Sequence, residues 1–203
     1  MVQLHKRDVV AAAAAILDNY GIADLSMRRL ARELNVSPSA LYWHFANKQQ
    51  LLGAVADKVL APACADPGAG DWQWRIRTLC ERLRDALLSH TDGAELVSAS
   101  LAAGQSEAAA AIVELLAQTA TAAGVHPDQA GQVGRTVVYY VLGFTADEQS
   151  RLQWDAAGAA GITSDADPGS AFAFGLGLLI DGLAVRAGLA VHQPLVGSSL
   201  PRL

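Results

Sequence analysis

The 203-residue chain is poor in the groups on which most site chemistry is built. It has two cysteines, Cys64 and Cys80, in neither a CxxC pair nor a metal-ligand spacing, so they read as small apolar fillers. Its five histidines, His5, His44, His90, His126 and His192, are scattered without ligand spacing, and neither a metal nor a cofactor is expected. Asp147 and Glu148 are adjacent, but neighbours on a helix diverge by about 100°, a poor geometry for shared acid–base work. With no nucleophile–base pair either, the chain is not expected to be an enzyme. Its N-terminus lacks the apolar core of a signal peptide, which points to the reducing cytoplasm. The most apolar stretch, Ala171 to Ala190, is long enough to span a bilayer. Asp181 and Arg186 interrupt it and Gly175, Gly177 and Gly182 weaken it, so it reads as a buried helix, with no membrane partner. No alternation of apolar and polar residues is long enough to argue for a sheet.

What is present is helical periodicity. A content of 52% hydrophobic and 17% charged residues supplies a globular core, and the length allows at most two compact units. The expected fold is therefore all-α. Charge divides the chain in two, although the net value is −5. Residues 1–60 hold seven basic against five acidic residues, +2, and include all three lysines; the remainder holds eight against fifteen, −7. An anionic partner would meet only the N-terminal part. The segment 61–70, Ala-Pro-Ala-Cys-Ala-Asp-Pro-Gly-Ala-Gly, reads as a connection, so the expected units are 1–62 and 71–190, followed by a tail at 191–203.

Within the first unit a helix from Lys6 to Tyr20 would bury Val9, Ala13, Ile16, Leu17 and Tyr20 and stop at Gly21. Ser26 can cap a second helix that points Leu30, Ala31 and Leu34 inward and leaves Arg28, Arg29, Arg32 and Glu33 outside. After Asn35 the chain restarts at Ser37-Pro38 as a brief helix to Phe45. Asn47 with Gln50 then looks like the capping box of a further helix that ends before Pro62. If Leu41 and Phe45 of the brief helix point inward, Ser39, Ala40, Tyr42, Trp43 and His44 project outward or flank them. Large aromatics outside a core call for a partner. Tyr42 and His44 can donate to phosphate oxygens, Lys48 and the amides at the next helix start favour anions, and small Ser39 and Ala40 let the backbone approach base edges. Arg28 could present its fork to guanine. The alternative is a helical hairpin whose aromatics pack on the neighbouring unit.

The run from Leu25 to Phe45, Leu-Ser-Met-Arg-Arg-Leu-Ala-Arg-Glu-Leu-Asn-Val-Ser-Pro-Ser-Ala-Leu-Tyr-Trp-His-Phe, followed by Asn47-Lys48, resembles the DNA-binding domain of the TetR family of bacterial repressors. Ala86–Ala94 and Ala171–Leu176 are similar to segments of the regulatory domain of tetracycline repressors. The resemblance implies an N-terminal three-helix helix-turn-helix domain, a larger helical ligand-binding and dimerisation domain, and a homodimer with a four-helix interface. It also implies a double-stranded DNA operator and a small-molecule effector as partners. It assigns DNA contacts to Arg28, Ser37, Pro38, Ser39, Ala40, Tyr42, Trp43, His44 and Lys48.

The metal-binding histidine that follows Ser-His-x-Asp-Gly-Ala in tetracycline repressors corresponds here to Val97, so a tetracycline–metal chelate is not the expected ligand. A pocket of Leu79, Leu83, Val97, Leu101, Leu116, Tyr140 and Phe144 would suit an apolar or aromatic effector, with Tyr140 as a polar contact. Further helices are expected from Trp72 to near His90 and Gly93, and at Ala94–Leu101, Glu107–Ala123, Asp128–Trp154 and Ser170–Ala187, with a mobile loop at 156–169. Val137, Val141 and Phe144, together with Gly175, Gly177 and Gly182, assign the last two helices to the dimer interface. The expected function is a ligand-released repressor of a palindromic operator. The alternatives are an activator, or a small-molecule sequestering or carrier protein whose N-terminal unit is only structural.

Overall fold

In the computed structural model, which describes residues 4–158 and 167–188, the chain forms nine α-helices and no strand among the described residues. Helix α1 (Lys6–Tyr20) begins where the Asp8 carboxylate accepts from the His5 amide at 3.1 Å, and it ends at Gly21, whose φ of +79° suits glycine. It buries Val9, Ala13, Ile16 and Leu17 as its periodicity predicts. Tyr20 differs: it is 57% exposed, because the Arg29 guanidinium stacks on its ring at 3.8 Å and holds it at the surface.

Helix α2 (Met27–Glu33) is capped by Ser26, helix α3 (Pro38–Tyr42) by Ser37 and helix α4 (Lys48–Leu60) by Asn47. Each capping oxygen accepts an amide that would otherwise be unpaired. Asn35, at φ +51°, turns the chain between α2 and α3. Helix α3 is shorter than its sequence suggests. The Leu41 carbonyl receives both the His44 and Phe45 amides, at 2.9 and 3.0 Å, and this tightened turn ends the helix before Trp43. Pro62 falls in a 3-10 turn, Ala61–Ala63, just after α4.

Helix α5 (Trp72–Leu88) buries Ile76, Leu79, Leu83 and Leu87 on one stripe and is capped by Asp71. The chain continues through α6 (Gly93–Ala102), α7 (Glu107–Ala122), the 30-residue α8 (Pro127–Ala156) and α9 (Pro168–Arg186). Residues 159–166 of the expected mobile loop, and the tail at 191–203, lie outside the described residues.

A single apolar cluster runs from Val9 in α1 to Leu183 in α9, so the N-terminal helices share their core with the rest. Helix α4 makes that junction. Gly53 passes so close to the corner between α6 and α7 that a Cβ there would lie 2.0 Å from the Gln105 carbonyl oxygen. One turn on, the Asp57 carboxylate accepts from the Ser106 hydroxyl at 2.7 Å and the Ala108 amide at 2.9 Å.

Helix α9 is not the buried helix its composition suggests. It is long and apolar enough to cross a membrane, with a mean hydropathy of 1.5, but only Phe172, Leu176, Ile180, Leu183 and Ala184 are buried. Phe174, Leu178 and Val185 are exposed, as is Tyr139 of α8, leaving apolar surface uncovered within one chain. The glycines of α9 also divide. Gly175 serves a contact inside the chain, since a Cβ there would lie 2.4 Å from the Tyr140 hydroxyl, whereas Gly177 and Gly182 face open space.

Two glycines of α8 give packing a direct test. A Cβ at Gly134 would meet the Val113 carbonyl oxygen of α7 at 2.4 Å, whereas one at Gly131 meets nothing within 4 Å. Gly134→Ala is expected to cost about 1–3 kcal/mol by overpacking, and Gly131→Ala to be neutral or to add up to about 1 kcal/mol of helix propensity. Urea unfolding midpoints of the two variants should move in opposite directions or differ by the full overpacking cost.

Candidate nucleic-acid interface and effector region

The α2–α3 corner is built outward from two buried side chains. Leu41 and Phe45 are at most 1% exposed, and the Lys6 ammonium sits 5.0 Å over the Phe45 ring. Successive residues on a helix diverge, so this anchoring turns their neighbours away from the core. Tyr42 is 52% exposed and Trp43 91% exposed; His44 is half-buried. Trp43 and His44 project from the turn after α3, not from the helix itself. The Ser37 hydroxyl is engaged as the cap of α3, accepting the Ala40 amide at 3.3 Å, and hydrogen-bonds the Ser39 hydroxyl at 2.8 Å. Ser37, Pro38 and Ser39 are exposed, while Ala40 and Lys48 are half-exposed on the same stretch.

The arginines of α2 are not equivalent. Arg29, expected outside, is folded back onto Asp24 as an ion pair and onto the Tyr20 ring. Arg28 and Arg32 are exposed and make no ion pair among the described residues. Arg28, Tyr42 and Trp43 are thus accessible to a ligand the size of a duplex.

The seven residues expected to line an effector pocket divide into core and edge. Leu79, Leu83, Val97 and Leu116 are 1% exposed and belong to the core, whereas Leu101, Tyr140 and Phe144 are half-buried at its margin. Tyr140 and Phe144 pack with Phe172 of α9, which periodicity did not single out. Tyr140 stacks on Phe172 at 5.6 Å, and Phe144 meets it edge-on at 5.3 Å. The Tyr140 hydroxyl already donates to the Phe172 carbonyl at 2.7 Å, so its polar end is committed, and burial beside Cys80 raises its pKa.

Over this cluster Arg84 lies 5.1 Å from the Phe172 ring. It pairs with Glu148 through two parallel hydrogen bonds, Nε to Oε2 at 3.0 Å and Nη2 to Oε1 at 2.6 Å. Glu148 thus serves as a structural partner, not as half of an acid–base pair. Two further polar atoms went unnoticed in the sequence. The Ser100 hydroxyl on α6 and the Thr145 hydroxyl on α8 are buried without a hydrogen-bond partner among the described residues. Small polar residues inside apolar helical stripes were the available signal.

Comparison with known proteins bears on both regions. A profile for bacterial regulatory proteins of the tetR family matches residues 9–55, and one for the tetracyclin repressor-like C-terminal domain matches residues 64–164. The tetracycline repressor protein class A from transposon 1721 of Escherichia coli is 32% identical over 206 residues, covering 92% of this chain and 93% of its own. The crystal structure of Mycobacterium smegmatis BioQ superimposes with a TM-score of 0.86 at 62% identity, covering 91% of this chain and 99% of that one. BioQ with its natural double-stranded DNA operator superimposes with a TM-score of 0.80 at 60% identity, covering 90% and 99%.

The corner and the core respond differently to truncation. Leu41→Ala is expected to destabilise the fold by about 2–5 kcal/mol, whereas Trp43→Ala should change stability by no more than about 0.5 kcal/mol. Thr145→Val, which removes an unpaired buried hydroxyl, should raise stability by about 1 kcal/mol. Thermal and urea unfolding of the three variants checks all of these, and a large loss at Trp43 would mean that it packs in the core.

Proposed function

Because this chain belongs to the TetR family of bacterial regulatory proteins, we propose that it is a homodimeric, ligand-responsive repressor that reads a palindromic DNA operator with the α2–α3 corner of each subunit. The observation that carries this is the pair Tyr42 and Trp43, held in solvent by buried Leu41 and Phe45 at a helix-turn-helix corner. The high similarity to BioQ, whose structure with its operator is known, supports the same use of the corner. Arg28, Ser37, Pro38, Ser39, Ala40, Tyr42, Trp43, His44 and Lys48 are the proposed contact set. Within it Ser37 acts by capping α3, Arg28 and Ser39 face base edges, and Tyr42, His44 and Lys48 meet phosphates. Residues 1–62 form the reading unit and 71–190 the regulatory one, with the tail at 191–203 outside both.

Two copies would join through the outward apolar faces of α8 and α9, which gives the uncovered Tyr139, Phe174, Leu178 and Val185 a surface to bury against. The dimer's two-fold axis then places two reading corners in successive major grooves. The effector site is the region of Leu79, Leu83, Val97, Leu101, Leu116, Tyr140 and Phe144. At its margin Tyr140 and Phe144 pack against Phe172, over which the Arg84–Glu148 pair lies. Two hydroxyls on the helices that carry Leu101 and Phe144, Ser100 on α6 and Thr145 on α8, are buried and unpaired among the described residues and would serve the polar groups of a small apolar or aromatic effector. If it favours a form whose reading corners are mis-spaced, each tenfold of differential affinity supplies about 1.4 kcal/mol toward release of DNA. No catalytic step is assigned to the chain, and its place is the cytoplasm, where its duplex is.

The test is binding of the purified chain to duplexes from its own upstream region, with salt varied. Two chains per palindromic duplex are expected. Arg28→Ala should cost about 1–3 kcal/mol of specific binding, and Lys48→Ala should reduce the slope of log K against log salt by about 0.9. A chain that binds small molecules but no duplex at any salt concentration would instead be a carrier.

A further inference from the structure

The corner between α5 and α6 holds a carboxylate where the backbone favours glycine. Asp92 has φ +53° and ψ +24°, a left-handed conformation that L side chains avoid, and it shares a positive φ with just one other non-glycine residue among those described, Asn35. Both of its carboxylate oxygens are in use, and they reach in opposite directions. Oδ2 accepts from the Ile22 amide at 2.9 Å, in the turn after α1, and Oδ1 accepts from the Gln153 side-chain amide of α8 at 2.6 Å. Gly21 leaves room for the first bond, since a Cβ there would lie 2.7 Å from Oδ2.

The neighbouring residues repeat the pattern. On the α1 side, His90 Nδ1 and Asp18 Oδ1 lie 2.8 Å apart, and the Thr91 hydroxyl donates to the Asp18 carbonyl at 2.9 Å. On the α8 side, the buried Gln149 donates to the Leu87 and His90 carbonyls at 3.0 and 2.7 Å and accepts from the Ala94 amide at 3.1 Å. Close packing does not complete this junction. A cleft of about 430 Å³ opens between Asp18, Leu88, His90, Asp92, Leu152 and Gln153. Polar bonds with defined directions therefore fix the angle between the parts.

With the chain taken as the dimeric regulator proposed above, on which this rests, we propose that Asp92 is a positioning residue for operator binding. Its carboxylate fastens α1 to α8 across the α5–α6 corner and so sets the distance between the two reading corners of a dimer. Helix α6 has a second attachment at its other end, where Gly53 and Asp57 of α4 meet Gln105, Ser106 and Ala108. Two attachments on one bar define an orientation, whereas one leaves a hinge. Removing the carboxylate takes away the side chain that bonds both sides of the corner and so loosens the end nearest α1, while the α4 attachment stays intact. Neither Asp92 nor Gln153 is in the DNA contact set, so an effect on binding must come through placement.

The test uses the full-length dimer and a palindromic duplex selected by the wild-type chain from a random library, together with versions of that duplex whose central spacer is changed by one base pair. Asp92→Gly removes both bonds and suits the left-handed backbone, so it should fold. Gln153→Leu, at an exposed position, cuts only the bond from Asp92 to α8 and leaves those of Gln149 in place. Both variants are expected to lose about tenfold in affinity for the selected spacing and most of the wild-type discrimination against altered spacers. Affinity for an isolated half-site and the unfolding midpoint should stay near wild type, which a purely structural lesion would not give. The proposal is overturned if either variant keeps both the wild-type affinity and the wild-type spacing preference. It is also overturned if half-site binding falls in parallel with palindrome binding. If the wild-type chain selects no duplex at all, the regulator function fails, and this role with it.

Discussion

The burial of Leu41 and Phe45 is the constraint from which the rest follows. A helix of five residues has no stability of its own, because nucleation fixes several dihedrals for a single hydrogen bond. What holds α3 in place is the removal of two large side chains from water, worth about 1.5–3 kcal/mol each, and the Ser37 cap at its start. Once those two side chains face inward, geometry leaves Tyr42 and Trp43 no route to the core. The flanking caps at Ser26 and Asn47 keep α2 and α4 at the angles that frame the corner. An exposed aromatic pair is therefore a consequence of how the corner is anchored, and the recognition role proposed for it rests on that anchoring.

The same economy of anchoring explains how a distant event could be felt at the corner. A continuous apolar cluster joins the N-terminal helices to α5–α9, and α4 lies against the α6–α7 corner with no room for even a methyl group at Gly53. Close-packed contacts of this kind do not deform smoothly; they shift between arrangements. The aromatic cluster of Tyr140, Phe144 and Phe172 joins α8 to α9, and Arg84, paired with Glu148, lies over the Phe172 ring. The three rings pack on one another, so a ligand entering among them would displace a ring and thereby disturb α8 and α9, the helices whose outer faces remain uncovered.

Much of this was legible in the sequence because local signals and global packing agree. The caps at Ser26, Ser37 and Asn47, the stop at Gly21 and the apolar stripe of α5 each placed an element within a few residues of where it lies. The outward set of Tyr42, Trp43 and His44 followed from the four-residue spacing of Leu41 and Phe45. What stayed hidden was set by partners remote in sequence. Tyr20 and Arg29 find one another rather than the core and the solvent, Gly175 makes way for Tyr140, and Glu148 is claimed by Arg84, 64 residues away. No periodicity reports such pairings. Helix α3 is shorter than its pattern for a related reason: the tightened turn at Leu41 is a hydrogen-bond choice that side-chain patterning does not encode.

On the reading proposed above, the side chains turned outward by Leu41 and Phe45 are the ones the duplex covers. This is tested most directly by collisional quenching of Trp43 fluorescence, in a variant that keeps it as the sole tryptophan after replacement of Trp72, Trp74 and Trp154 by phenylalanine. Acrylamide is expected to quench Trp43 efficiently in the free protein and several-fold less once an operator duplex is bound. Quenching that is equally efficient with the duplex bound, or weak in the free protein, would contradict it.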